Sequence, residues 1–261
     1  MLKALWQYRH FVIGSIRNEF SSRFARSKFG GLWAIFNPLA QVAIYALILS
    51  NILQAKMAGI DSQYSFAIYL TAGMLAFNLF SEIVTRCLNV FIANGNLIKK
   101  AQFPKIVLPA IAIGVALLDN ILLFLAILVI FAVLGHVPSV TIVWLPFLMA
   151  CTIALSVGIG LILGIFNVFI RDIAQVVPII LQVLFWFTPI VYPLSIIPQS
   201  YRHYLYFNPM YPLVKGYQDV LVFGTAPDIT NILVITIVSV GLLLLSFFLF
   251  MRANEEMADV L

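Results

Sequence analysis

Long apolar runs alternate with short polar ones along this chain. The runs predict six membrane-crossing helices: about Leu32 to Leu53, Phe66 to Phe91, Ile106 to Leu134, Ile142 to Ile170, Ile173 to Tyr192 and Ile229 to Met251. Each is near or above the roughly 20 residues that cross a bilayer at about 1.5 Å per residue. Ahead of them, Leu2, Leu5, Val12, Ile13, Ile16, Phe20 and Phe24 recur near helical spacing, with Lys3, Arg17, Arg23, Arg26 and Lys28 on other faces. Residues 1–28 therefore predict a basic amphipathic helix lying in a membrane interface; a plain juxtamembrane helix is the alternative. Arg17, Asn18, Glu19 and Arg23 fall where the apolar region of a signal peptide would be, so the stretch does not read as one.

Composition agrees with the pattern. The hydrophobic fraction is 63%, the charged fraction 10% and the mean hydropathy +1.06, whereas a soluble domain is nearer half apolar and a quarter charged. One membrane domain over 1–261 is expected. The net charge of +5 matters through its placement and not as a sign of nucleic-acid binding. With the N-terminus inside, eleven Lys and Arg fall on inner segments and three (Lys56, Arg202 and Lys215) on outer ones, leaving Arg86 within a span. The excess of inner positive charge puts both termini in the cytoplasm. Cys87 and Cys151 lie in apolar runs without metal spacing, and His10, His136 and His203 are scattered. No metal site is expected.

The most informative stretch is Arg171 to Pro198, RDIAQVVPIILQVLFWFTPIVYPLSIIP. It opens on an ion-pair candidate, Arg171-Asp172. It closes on Phe185-Trp186-Phe187 and then Thr188-Pro189 and Tyr192-Pro193, which cannot continue an ordinary helix. A membrane segment that breaks up before leaving the bilayer must be shielded by protein or line a cavity, because lipid cannot satisfy freed backbone groups. Phe185, Trp186, Phe187, Pro189 and Tyr192 are thus candidates for the wall or gate of a path. Eleven aromatics lie between Phe185 and Phe223, more than anchoring one helix end requires. Interfacial anchoring and stacking on sugar rings both remain open for them.

Charged side chains at depth are few. Glu82 and Arg86 stand four apart in the order that favours a helical ion pair, which either neutralises itself and holds helices together or contacts cargo. Asp119, beside Asn120, is expected to bond a neighbouring helix. Ser156, Gly160 and Gly164 repeat every four residues, a close-packing signal within the bundle or across a dimer. Between spans two and three, Asn94-Gly95-Asn96 breaks the helix. Leu97, Ile98, Lys99, Lys100 and Phe103, before Pro104, then offer a short helix with apolar and basic sides. This is either a knob for a partner's groove or an ordinary charged loop.

No GxxxxGK[ST], HExxH or GxSxG occurs, so the chain neither holds ATP in a phosphate loop of its own nor carries a familiar hydrolase motif. Four blocks instead resemble the membrane subunits of ABC-2 type exporters, in the branch that moves O-antigen, capsule and teichoic-acid polymers. They are Lys28 to Pro38 (KFGGLWAIFNP), Leu97 to Pro109 (LIKKAQFPKIVLP), Arg171 to Pro198, and Asn208-Pro209 to Gly224. The match departs at Gln218, where many members carry Arg; a headgroup contact there is in doubt.

The resemblance implies an all-α integral membrane fold with six transmembrane helices per chain. It adds an N-terminal interface helix (1–28), a cytoplasmic coupling helix (94–105) and short re-entrant gate helices (193–228) before the last span. It implies a homodimer in the bacterial inner membrane, served by two copies of a separate ATPase subunit that binds ATP and Mg, with no cofactor on this chain. The cargo would be an undecaprenyl-diphosphate-linked polysaccharide, moved from cytoplasm to the outer face. Trp33, Phe36 and Tyr45 would join the channel wall. Leu97 to Pro104 would meet the ATPase, and Arg23, Arg26 and Lys28 would attract the lipid headgroup, unless they serve topology alone. The rivals are a small-molecule exporter of the same type, a secondary transporter, for which no internal repeat is found, and an intramembrane lipid-sugar enzyme, for which Asp172 alone is too little.

Overall fold

The computed structural model describes residues 6–24, 27, 29–33, 36, 39–40, 65–100, 104–133, 135–253 and 256–257. Every regular element among them is helical. The α-helices are α1 (Arg9–Phe24), α2 (Ser65–Ala93), α3 (Gly95–Lys100), α4 (Val107–Val133), α5 (Leu145–Phe169), α6 (Ile173–Phe187), α7 (Gln199–Arg202), α8 (Met210–Gln218) and α9 (Ile229–Ala253). Among the described residues, four stretches are long and apolar enough to cross a membrane: Phe66–Ala93, Val107–Ala132, Val140–Phe169 and Ile229–Ala253. They match the second, third, fourth and sixth expected spans. The first, Leu32 to Leu53, falls almost wholly outside the described residues.

The fifth expected span is shorter than its apolar run. α6 has 15 residues, about 22 Å at 1.5 Å per residue, against roughly 30 Å of hydrocarbon. It stops at Phe187, where Thr188 turns extended (φ −98°, ψ 132°) ahead of Pro189. Pro178 sits inside it and removes the amide that would otherwise reach the Ala174 carbonyl. From Leu194 to Phe223 the chain then moves in short pieces. A 3-10 turn (Leu194–Ile196), α7, a second 3-10 turn (His203–Phe207), α8 and a π-turn (Asp219–Phe223) follow one another.

α2 is the central helix. Of its most apolar 18-residue stretch 78% is buried, against 22% for α9. α5 packs between α2 and α9, while α4 and α8 lie on other faces of α2. The small residues of α5 make this possible. A Cβ on Gly160 would stand 2.8 Å from the Cys87 Cβ, and one on Gly164 would meet the Cys87 carbonyl oxygen. On the other side of α5, a Cβ on Gly158 would stand 2.9 Å from Leu242 Cβ of α9. The four-residue repeat therefore serves packing within the chain, backbone against backbone. Buried amides secure two faces of α2: from α5, Asn167 Nδ2 donates to the Leu88 carbonyl at 2.9 Å, and from α4, Asn120 Nδ2 donates to that of Leu75 at 3.0 Å.

α2 ends at Asn94. Its side-chain amide donates to the Val90 carbonyl at 2.8 Å, closing the last turn. Its own carbonyl accepts from the Leu97 and Ile98 amides at 3.0 Å, starting α3. One residue thus caps both helices and sets the corner between them.

Gly164→Val should force α5 off α2 and cost about 1–3 kcal/mol, in line with overpacked cores. Thermal unfolding of the purified protein in detergent measures it; an unchanged midpoint would contradict the close approach.

Candidate functional site

The C-terminal end of α6 is where the helix breaks, and its backbone is fully accounted for. A helix leaves its last four carbonyls without helical partners. Here the four are Leu184 to Phe187. Thr188 Oγ1 donates to the Leu184 carbonyl at 2.6 Å, and the Thr188 amide to Phe185 at 3.2 Å. Tyr192 Oη donates to Trp186 at 2.9 Å, and Asn208 Nδ2 reaches Phe187 at 3.4 Å. Beyond it the Thr188 carbonyl accepts the Ile190 amide at 2.7 Å, and the buried Pro189 carbonyl takes two donors from distant elements. They are Tyr69 Oη of α2 at 2.9 Å and Gln218 Nε2 of α8 at 3.1 Å. Asn208 Nδ2 also donates to Thr188 Oγ1 at 2.8 Å, and its Oδ1 accepts the Met210 amide at 2.9 Å, which starts α8.

This junction is dry. Thr188, Ile190, Val191 and Gln218 are buried, and Tyr69 is 4% exposed. Gly73 lets the parts meet: a Cβ there would lie 3.0 Å from Gln218 Nε2 and 3.2 Å from Ile190 Cγ2. Gln218 therefore faces inward onto the backbone of the break and not towards a headgroup. Beyond it the π-turn is held from the α4–α5 connection. The His136 ring lies 2.8 Å from the Leu221 carbonyl through Nε2, and Thr141 Oγ1 donates to Val220 at 3.0 Å. Lys215 pairs with Asp219 at 3.3 Å; burial raises the Asp219 carboxyl above its ordinary range, against the pull of that lysine.

The aromatic block splits into two roles. Phe185 turns inward, edge-on to Phe77 at 5.2 Å. Trp186 and Phe187 are exposed, as are Tyr201, Tyr204, Tyr206 and Phe207 on the short elements that follow. Pro189 is buried and Tyr192 half-buried. Trp33 and Phe36 are exposed and make edge-on contacts within their own segment, Trp33 with Phe29 at 6.0 Å and with Phe36 at 6.3 Å.

A second polar centre lies at the other end of the bundle. Arg86 binds three carboxylates from three helices: Glu82 of its own helix at 2.9 Å, Glu19 of α1 at 2.7 Å and Asp119 of α4 at 3.5 Å. The Glu82–Arg86 pair expected from the spacing is present, and Asp119 does bond a neighbouring helix. Glu19 joins them because α1 packs on α4, with Ile16 against Gly114. Beside this centre a cleft of about 460 Å³ is lined by Thr85, Asn89 and Asn94 on its polar side and by Leu108 and Ile111 on its apolar side.

The remaining sequence candidates are placed as follows. In α3, Leu97 points outward and Ile98 inward; Pro104 is half-buried. Arg171 and Asp172 are exposed in the turn between α5 and α6, and the Asp172 side chain does not cap α6. Tyr45, Arg26, Lys28 and Phe103, with the side chains of Arg23, Lys99 and Lys100, lie outside the described residues. Sequence reasoning missed Tyr69, Asn208, Glu19 and the inward role of Gln218. The one local signal was the Asn208-Pro209 pair, which opens α8.

Comparison with known proteins gives a consistent result. The profile of the family described as ABC-2 type transporter matches residues 12–222. A Myxococcus xanthus protein named O-antigen export system permease protein RfbA is 27% identical over 261 residues, covering 99% of this chain and 98% of the relative. A Klebsiella pneumoniae protein of the same name is 28% identical over 204 residues, 78% of this chain and 76% of its own. The Escherichia coli polysialic acid transport protein KpsM is 29% identical over 210 residues, 79% of each chain.

Arg86→Ala removes the cation shared by three carboxylates and should cost about 3 kcal/mol of stability. Glu19→Gln, which removes a half-exposed partner, should cost about 1 kcal/mol or less. Thermal unfolding of the two variants checks the order; equal losses would contradict Arg86 as the common partner.

Proposed function

Because this chain belongs to the ABC-2 type transporter family, we propose that it is the membrane subunit of an ATP-driven exporter. It moves a lipid-linked polysaccharide from the cytoplasm to the outer face through a homodimeric channel. The observation that carries the reading is the outer end of α6. There a helix stops at Thr188 and presents Trp186 and Phe187, followed by a run of exposed aromatics from Tyr201 to Phe207. Rings of this kind stack on sugar faces while their polar tips stay wet. A polymer with many hydroxyls slides along weak, repeated contacts more readily than through one tight pocket. The names of the relatives support a polymer over a small molecule.

In this reading the chain crosses the inner membrane six times, with Leu32 to Leu53 as the first span and α6 as a short fifth. Both termini face the cytoplasm, as the inner excess of Lys and Arg requires. Two copies of a separate ATPase subunit hold ATP and Mg and push on α3. Ile98 anchors α3 to the core and Leu97 faces the partner, with Lys99, Lys100, Phe103 and Pro104 completing the surface. Arg23, Arg26 and Lys28 attract the carrier's diphosphate at the cytoplasmic side. Aromatics at Trp33, Phe36 and Tyr45 extend the wall.

Deletion of the gene, followed by analysis of lipid-linked glycan, tests the reading. Polymer should accumulate inside the cell and vanish from the surface; normal surface glycan would overturn it. Trp186→Ala should cut or deregulate export about tenfold, the weight of one lost stacking partner of roughly 1–1.5 kcal/mol, while association with the ATPase is kept. Wild-type surface polymer in that variant would remove Trp186 from the wall.

A further inference from the structure

We propose that Tyr69 and Gln218 are positioning residues for transport: by sharing the Pro189 carbonyl they hold the outer break of α6 shut. The proposal rests on the export reading, since it treats that break as the exit.

The Pro189 carbonyl is the one acceptor in the break that ties three elements together. Its donors sit on α2 and α8, which are 149 residues apart at Tyr69 and Gln218, and both donors are buried. Thr188 and Tyr192, by contrast, close the α6 terminus locally. Moving the break outward must therefore give up two bonds in a dry site, where an unpaired carbonyl is costly. Gly73 sits under the junction, so that Gln218 and Ile190 can pack against α2 without displacement.

The two donors differ in what they can follow. Tyr69 lies one turn into α2, and α2 runs on to Ala93, about 36 Å further at 1.5 Å per residue, where Asn94 joins it to α3. A displacement imposed on α3 reaches Tyr69 through one continuous helix. Gln218 belongs to α8, which Asn208 starts and the π-turn ends. Motion of α2 against α8 therefore separates the two donors, and the carbonyl cannot keep both.

The test is passive leak of radiolabelled sucrose from proteoliposomes holding the full chain without ATPase. Wild type should be tight. Tyr69→Phe and Gln218→Leu should each raise leak about fivefold, the weight of one net hydrogen bond. The double variant should exceed either. Gln218→Glu separates a latch from a packing role: its protonated form can still donate to the Pro189 carbonyl, whereas its carboxylate repels it. The groups that share this environment are Tyr69, Tyr192, Tyr211 and Asp219, with Lys215 paired to Asp219. Leak through Gln218→Glu should be near wild type at low pH and rise as pH increases, while Gln218→Leu stays leaky throughout. Recovery at low pH also shows that the variant folds.

Leak that is unchanged in all three single variants, or a Gln218→Glu leak without pH dependence, overturns the latch. The export reading has its own measure, ATP-driven export by wild type with its ATPase. If that stands while the leak results fail, only the latch is lost.

Discussion

A helix that ends in a buried place must hand its last carbonyls to protein donors, and much of the described structure is arranged around that demand. α6, at 15 residues, is about 8 Å shorter than the roughly 30 Å of a bilayer's hydrocarbon at about 1.5 Å per residue. The four carbonyls it leaves open find Thr188, Tyr192 and Asn208 as donors, and the Pro189 carbonyl beyond them finds Tyr69 and Gln218. The short elements after residue 193 are thus more than a connection. Asn208 starts α8 and ties it to Thr188, and α8 carries Gln218 back under the break.

The same demand explains why α2 is central. It supplies Tyr69 near its start, receives α5 along its middle through Gly160 and Gly164, and turns into α3 at its end. Arg86 lies near the α3 end and gathers α1 and α4 through Glu19 and Asp119. One helix therefore connects the polar centre and α3 at one end with the aromatic break at the other.

Much of the fold was legible in the sequence because it rests on local patterns. Four of the six expected spans recur within a few residues of their bounds, and the Asn94 corner and the stop at Thr188-Pro189 follow from local chemistry. What remained hidden is what comes from far along the chain. Nothing beside Tyr69 marks it as a donor to Pro189, 120 residues on. Gln218 looked like a missing arginine at a headgroup site because its direction depends on α8 folding back under α6. Glu19 read as one polar residue on a surface helix until α1 docked on α4 and brought it to Arg86. The small-residue repeat in α5 could have packed within one chain or between two, and only the position of Cys87 against Gly164 decides for the former.

The most direct test of a closed, protein-shielded break is thiol accessibility from outside the cell, in a chain lacking Cys87 and Cys151. Single cysteines at Tyr204 and Phe207, which are exposed, should react with a membrane-impermeant maleimide in the resting state. Cysteines at Ile190 and Val191, at 0% and 3% exposure, should stay unreactive at rest and become reactive during ATP turnover with the partner ATPase. Rapid labelling of Ile190→Cys and Val191→Cys at rest would contradict the account.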